Sequence, residues 1–105
     1  MEAAKALADA DEVLVSMVNL WEMILKKGKP GALSDDPVSW WDDLVTAQNF
    51  TTLPIFYAHV KALAQLDAHH NDPFDRMLIA QCISEGLTLV SKDSQIPPYG
   101  IPVIW

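Results

Sequence analysis

The sequence predicts an α/β fold in which a short parallel sheet is covered by helices on both faces. Short apolar segments at residues 13–15, 52–55, 88–91 and 102–105 alternate with longer stretches whose apolar residues recur at helical spacing. Strands that are apolar throughout and separated by helices are typical of a parallel sheet that is buried on both sides. The 105 residues, half of them hydrophobic, are expected to form one domain over residues 1–105 that is only marginally stable alone.

Three of the predicted helices begin at residues whose side chains can cap a helix N-terminus. Ser16 precedes a segment with apolar residues at helical spacing, which Gly28 is expected to end. Asp36 and Asp72 are each followed by proline, which favours the first position of a helix. The helix that follows Asp72 is predicted to end at Gly86, because glycine readily adopts the left-handed conformation of a C-cap.

Two further segments are predicted to be helical. Residues 2–9 are rich in alanine, which has the highest helix propensity. Residues 58–66 place Val60, Leu63 and Ala64 on one helix face. We therefore expect five helices among the short strands.

The cysteine and histidine content points to no particular chemistry. The single cysteine, Cys82, lies in an apolar helical segment and is interpreted as a core residue, which excludes an internal disulfide. His59, His69 and His70 are expected in helix, loop or cap positions, and no metal role is assigned to them. The four tryptophans are expected in the core or on a surface that faces a partner.

The composition also bears on location and partners. No segment is long and apolar enough to suggest a membrane span, and the first residues lack the pattern of a signal peptide, so we expect a cytoplasmic protein. The formal net charge of −7 disfavours sequence-blind binding to nucleic acid. It does not exclude a nuclease that gathers carboxylates around a cation. The basic cluster Lys26, Lys27 and Lys29 is interpreted as a solvated helix end.

Three acidic residues are predicted to reach the same edge of the sheet. Glu22 lies in the second turn of the helix after the first strand, Asp75 in the first turn of a later helix, and Asp93 just past residues 88–91. In a parallel sheet, ligands bind where the carboxyl ends of the strands meet. Carboxylate oxygens suit hard cations such as Mg²⁺ or Mn²⁺, so these residues are candidates for a metal site.

Each acidic residue also has a purely structural explanation. Asp72 can cap its helix, and Asp75 can interact with the positive end of the same helix dipole. Glu22 can be an exposed helix residue, and Asp93 can belong to a turn. Taken singly, the structural explanation is favoured, and only the joint placement of the acids raises the functional one.

Several segments resemble, in chain order, the PIN-domain ribonucleases of the VapC toxin type. The most specific is Asp-Pro-Phe-Asp-Arg at 72–76, within the similar run 70–81. It is followed by Leu-Val-Ser-Lys-Asp at 89–93 and by the C-terminal segment 99–105. The remaining similar segments are residues 12–16, 20–23 and 53–55 with the helix after them. The resemblance covers nearly the whole chain.

The resemblance implies a three-layer α/β/α fold and a metal-dependent endoribonuclease. Members of that family use Mg²⁺ or Mn²⁺ at an acidic site, cleave RNA with an activated water, commonly dimerise, and are inhibited by a cognate antitoxin. By resemblance, the metal-binding and catalytic residues are Glu22, Asp75 and Asp93. Asp72, Arg76 and Ser91 occupy supporting positions, with Asp72 mainly a helix cap.

The chain departs from the family pattern at its start. Family members begin with an apolar strand that ends in Asp-Thr, and that aspartate is usually the first metal ligand. Residues 1–10 instead resemble the end of a later helix. We therefore expect an N-terminally truncated fold that lacks the first strand, the first helix and one of four acids, with weak cleavage or none. The alternative function is an inactive module for dimerisation or antitoxin binding.

Overall fold

The computed structural model of the protein describes residues 2–67, 72–91 and 99–104. The described part contains five α-helices and four short strands, which confirms the predicted α/β class. In chain order they are α1 (Glu2–Asp9), β1 (Leu14–Ser16), α2 (Met17–Leu25), α3 (Pro37–Gln48), β2 (Thr51–Leu53), α4 (Tyr57–Ala64), α5 (Pro73–Glu85), β3 (Leu89–Val90) and β4 (Val103–Ile104). The described strands form two parallel pairs, β1 with β2 and β3 with β4, so the predicted strand direction is also confirmed.

The chain divides into two compact units, residues 12–54 and residues 1–11 with 55–105. In the first of these units, β1 and β2 pair over three residues, with Val15 opposite Thr52. The Ser16 hydroxyl accepts a hydrogen bond of 3.0 Å from the Val18 amide and caps α2, as predicted. The helix ends at Leu25, three residues before the expected Gly28.

The third helix also begins where the sequence predicted. The Asp36 carboxylate accepts a hydrogen bond of 3.3 Å from the Ser39 amide, and Pro37 occupies the first helical position. The helix ends at Asn49, which adopts the left-handed conformation with φ of 54°. The buried side chains of this unit include Val18 and Trp41, whereas Trp21 and Trp40 are largely exposed.

The other unit is built around the packing of α4 against α5. Its buried residues include Met77, Ile79, Ala80 and Cys82 on α5, which confirms the interpretation of Cys82 as a core residue. A C-cap at Gly86, with φ of 69°, ends this helix as predicted. The strands β3 and β4 then pair in parallel over two residues each.

The buried face of α4 differs from the predicted one. The sequence indicated a face containing Val60 and Leu63, but Val60 is 48% exposed and Ala64 is also exposed. The fully buried residue of this helix is His59. The apolar residues of α4 did not indicate its buried face, because a polar side chain whose hydrogen bonds are satisfied can also lie in the core.

None of the helices within the described residues has the length and apolar character needed to cross a bilayer.

Candidate functional site

The start of α5 carries the most specific part of the predicted site. The Asp72 carboxylate accepts hydrogen bonds from the amides of Phe74 and Asp75, at 2.9 and 3.2 Å. Asp72 is thus the N-cap, and Pro73 occupies the first helical position. Because two of the first amides bind one carboxylate oxygen, the backbone that carries Asp75 is fixed in a single geometry.

Asp75 and Arg76 lie in the first turn of this helix, and both are partly buried. Asp75 is the acidic residue in the first turn of α5, where the helix dipole has its positive end. A guanidinium nitrogen of Arg76 donates a hydrogen bond of 3.1 Å to the carbonyl oxygen of Asp67. Arg76 therefore ties the helix start to the chain that follows α4.

Glu22 lies in the second turn of α2, in the unit formed by residues 12–54. Its side chain is 22% exposed and accepts a hydrogen bond of 3.0 Å from the ammonium group of Lys26. The pair has i,i+4 spacing, and the Lys26 side chain is 59% exposed, so its contribution to stability is small. Lys26 lies at the end of α2, in agreement with the interpretation of the basic cluster as a helix end.

Ser91 directly follows β3, and its amide donates a hydrogen bond of 3.0 Å to the carbonyl oxygen of Ile104. This bond extends the pairing of β3 with β4 toward the C-terminal end of β3. Asp93, the third predicted ligand, lies outside the described residues, as do His69 and His70.

The convergence of Glu22, Asp75 and Asp93 therefore stays a prediction. Glu22 and Asp75 belong to different compact units. Among the residues that the structure describes, no three His, Cys, Asp or Glu side chains form a group that could hold a metal ion.

The unit that contains Glu22 has a cavity of about 400 Å³. Its lining is mainly apolar, with two threonines and the carboxylate of Asp42; the lining residues are Met17, Leu20, Trp41, Asp42, Val45, Thr46 and Thr52. A single carboxylate among these described residues does not resemble a metal centre.

A polar network inside the other unit was missed by sequence reasoning. The Nδ1 atom of the fully buried His59 accepts hydrogen bonds from the Phe56 amide at 3.1 Å and the Gln81 side-chain nitrogen at 3.3 Å. Because Nδ1 accepts, the proton is on Nε2, which donates to the Glu85 carboxylate at 2.8 Å. Both ring nitrogens are thus engaged, so His59 is a structural residue that joins α4 to α5.

No sequence signal could have identified this network. His59 precedes Gln81 by 22 residues and Glu85 by 26, and all three residue types are common on exposed helix faces. Only the packing of α4 on α5 brings them together.

Residues 1–100 of the chain match the PIN domain family. The match covers nearly all of the 105 residues, and the chain therefore belongs to the PIN domain family. PIN nucleases act on RNA, and PIN domains generally use divalent metal ions. A search of the curated proteins found no match to the chain.

Proposed function

We propose that this protein is a metal-dependent endoribonuclease of the VapC toxin type that binds its metal ion through Glu22, Asp75 and Asp93. The observation that carries the proposal is the geometry at the start of α5. There, Asp72 caps the helix and holds Asp75, partly buried, in the first turn. The same residues form the family-like motif Asp-Pro-Phe-Asp-Arg, within a chain that matches the PIN domain family over residues 1–100.

The chemistry of the proposed ligands fits a hard divalent cation. Glu22 and Asp75 offer carboxylate oxygens, which Mg²⁺ and Mn²⁺ prefer, and both side chains are only partly exposed to water. A bound ion would supply an activated water and would neutralise charge on the scissile phosphate. The Lys26 ammonium that pairs with Glu22 is mostly exposed, so it can move away at little cost when a cation binds.

The supporting residues act on the position of the ligands. Asp72 fixes the backbone amide of Asp75, and Arg76 anchors the same turn to the carbonyl oxygen of Asp67. Ser91 continues the pairing of β3 with β4, two residues before Asp93. These three residues hold the geometry that metal chemistry requires, and they need not touch the substrate.

A second candidate function is a binding module with little or no catalysis. It is favoured by the apolar side chains that α2 leaves partly exposed. In either case, we propose as partners a second copy of the chain and a cognate antitoxin in the cytoplasm. The partly exposed apolar side chains Trp21, Ile24 and Leu25 of α2 are suited to contact with a protein partner.

An RNA cleavage assay with Mg²⁺ or Mn²⁺ tests the proposal. We expect weak cleavage that is abolished by chelation and by Asp75→Asn, because an amide cannot replace the charge of the carboxylate at a metal ion. Asp43→Asn is the matched control, since Asp43 is exposed on α3 and should leave cleavage unchanged. Isothermal titration with Mn²⁺ should show binding to the wild type and the control, with weaker binding to Asp75→Asn.

Two results would contradict the enzyme proposal. Cleavage that persists in Asp75→Asn would remove Asp75 from the site, and cleavage that persists without metal would contradict the proposed metal dependence. A wild-type chain that neither binds metal nor cleaves RNA would leave only the binding module.

A further inference from the structure

The beginning of α4 carries an exposed aromatic surface that the acidic site does not use. Tyr57 is 80% exposed and Phe56 is 52% exposed, and the next turn adds Val60 at 48%. Lys61 is exposed and follows Tyr57 by four residues, so the two side chains lie on the same face of the helix. We call Phe56, Tyr57 and Lys61 the α4 platform.

The buried side chain of His59 contacts Phe56 and so fixes one end of the α4 platform. The Phe56 amide donates its hydrogen bond to Nδ1 of His59, and the two rings lie with their centroids 5.4 Å apart at an angle of 55°. His59 is fixed in turn by Gln81 and Glu85 on α5. An exposed ring with a fixed backbone loses little freedom when a ligand stacks on it.

The charged side chain of the α4 platform is the exposed ammonium group of Lys61. The sequence contains 14 acidic residues, yet none lies between Leu44 and Leu66, a stretch that includes Lys61. The Glu85 carboxylate, which reaches α4 from α5, is bound to His59. The segment that carries the α4 platform thus contributes a positive charge to an acidic protein, and Glu85 is a carboxylate that reaches it from α5.

The size of the platform indicates a small occupant. The two aromatic side chains together expose roughly 250 Å², taking about 200 Å² for a whole aromatic side chain. A stable protein interface buries about 800 Å² on each partner, so the platform alone is too small for one. Each of the two exposed rings offers a surface on which one nucleotide base can stack, as bases do on aromatic side chains in single-stranded complexes.

We propose that the α4 platform binds single-stranded RNA by stacking its bases on Tyr57 and Phe56, with Lys61 beside a phosphate. This inference rests on the proposed ribonuclease function and adds a substrate contact outside the acidic site. Stacking gives an acidic protein a way to hold RNA that does not depend on a basic face.

Binding of a fluorescein-labelled single-stranded RNA, measured by fluorescence anisotropy in EDTA to prevent cleavage, tests the inference. We expect Tyr57→Ala to weaken binding about five- to a hundredfold, the range for the loss of one stacked base. Tyr57→Phe keeps the ring and should retain affinity, and Val60→Ala serves as a control for apolar surface without a ring. An abasic oligomer of the same length should bind wild-type protein and Tyr57→Ala equally weakly.

Other outcomes would overturn the inference. If Tyr57→Ala binds RNA as tightly as wild type does, or if the abasic oligomer binds as tightly as the RNA, bases do not stack on the platform. If sedimentation shows a dimer that Tyr57→Ala dissociates, the platform is a contact between copies of the chain.

The cleavage assay separates this failure from that of the proposed function. Cleavage that depends on Asp75 but not on Tyr57 would contradict RNA binding at the α4 platform and leave the proposed ribonuclease function intact. RNA binding that depends on Tyr57, with no cleavage, would support RNA binding at the α4 platform and contradict the proposed ribonuclease function. A wild-type chain that neither binds RNA in EDTA nor cleaves it with Mg²⁺ or Mn²⁺ would contradict both proposals.

Discussion

Replacing His59 with alanine should remove the polar network that joins α4 to α5. The side chain is fully buried and takes part in three hydrogen bonds, with Phe56, Gln81 and Glu85. Truncating a buried aromatic side chain to alanine costs about 3–5 kcal/mol, because the cavity does not close completely. The hydrogen bond that holds the Phe56 amide adds about 1 kcal/mol.

We therefore expect His59→Ala to lower the free energy of unfolding by about 4–6 kcal/mol, a large part of the stability of a domain this size. Urea unfolding followed by far-ultraviolet circular dichroism measures it, because α4 and α5 supply much of the helical signal. Glu85→Gln is the matched control: its amide oxygen can still accept from Nε2, so the cost should stay below about 1 kcal/mol. A loss below about 1 kcal/mol for His59→Ala would refute the reasoning, since a ring in this environment cannot be removed so cheaply.

Three smaller perturbations test the ends and the core of α5. Asp72→Ala should lower the free energy of unfolding by about 1 kcal/mol through loss of the N-cap, and thermal melting measures it. Gly86→Ala should cost about 1 kcal/mol because φ is 69°, although a methyl group there would meet no other atom within 4 Å. Burial raises the pKa of the Cys82 thiol from 9.0 to about 11. As the pH rises, the thiol therefore loses its proton in the unfolded chain before it does so in the folded one. The free energy of unfolding should fall by roughly 2–3 kcal/mol as the pH rises from 9 to 11. This fall should be absent from Cys82→Ala.

Each of these expectations has a control that can contradict it. Asp72→Asn keeps a capping oxygen, and Gly86→Asn places a residue that tolerates positive φ, so both should melt close to wild type. If they melt as low as the alanine variants, capping and backbone strain are the wrong explanations. For Cys82, equal loss of stability above pH 9 in wild type and Cys82→Ala would show that other groups cause it.

Helix starts were predictable from the sequence because capping is a local interaction. Ser16, Asp36 and Asp72 each accept a hydrogen bond from an amide two or three residues later in the sequence. The strand positions were predicted to within one or two residues, because each strand overlaps a short apolar run in the sequence. Apolar runs show where a sheet can form, but the register depends on the partner strand, as in the pairing of Leu14 with Thr51.

The candidate site was predictable only in its types of residue. The sequence placed Asp75 in the first turn of a capped helix, and the structure has it there. It also led to the family, which the match over residues 1–100 shows. It could not reveal the ion pair of Glu22 with Lys26, the burial of His59 or the exposure of Tyr57. Those features depend on which helix faces meet, and that is decided by packing across the chain.

The pairing of β1 with β2 has a consequence for how the chain folds. The two strands pair over three residues each, and residues 17–50 lie between them. Closing a flexible loop of that length costs about 3 kcal/mol, which so few hydrogen bonds cannot offset early in folding. The capped helices α2 and α3 are local in sequence and can form first, shortening the loop that must close. Folding of this unit should therefore proceed from helices to strands, and substitutions at the caps Ser16 and Asp36 should slow its refolding.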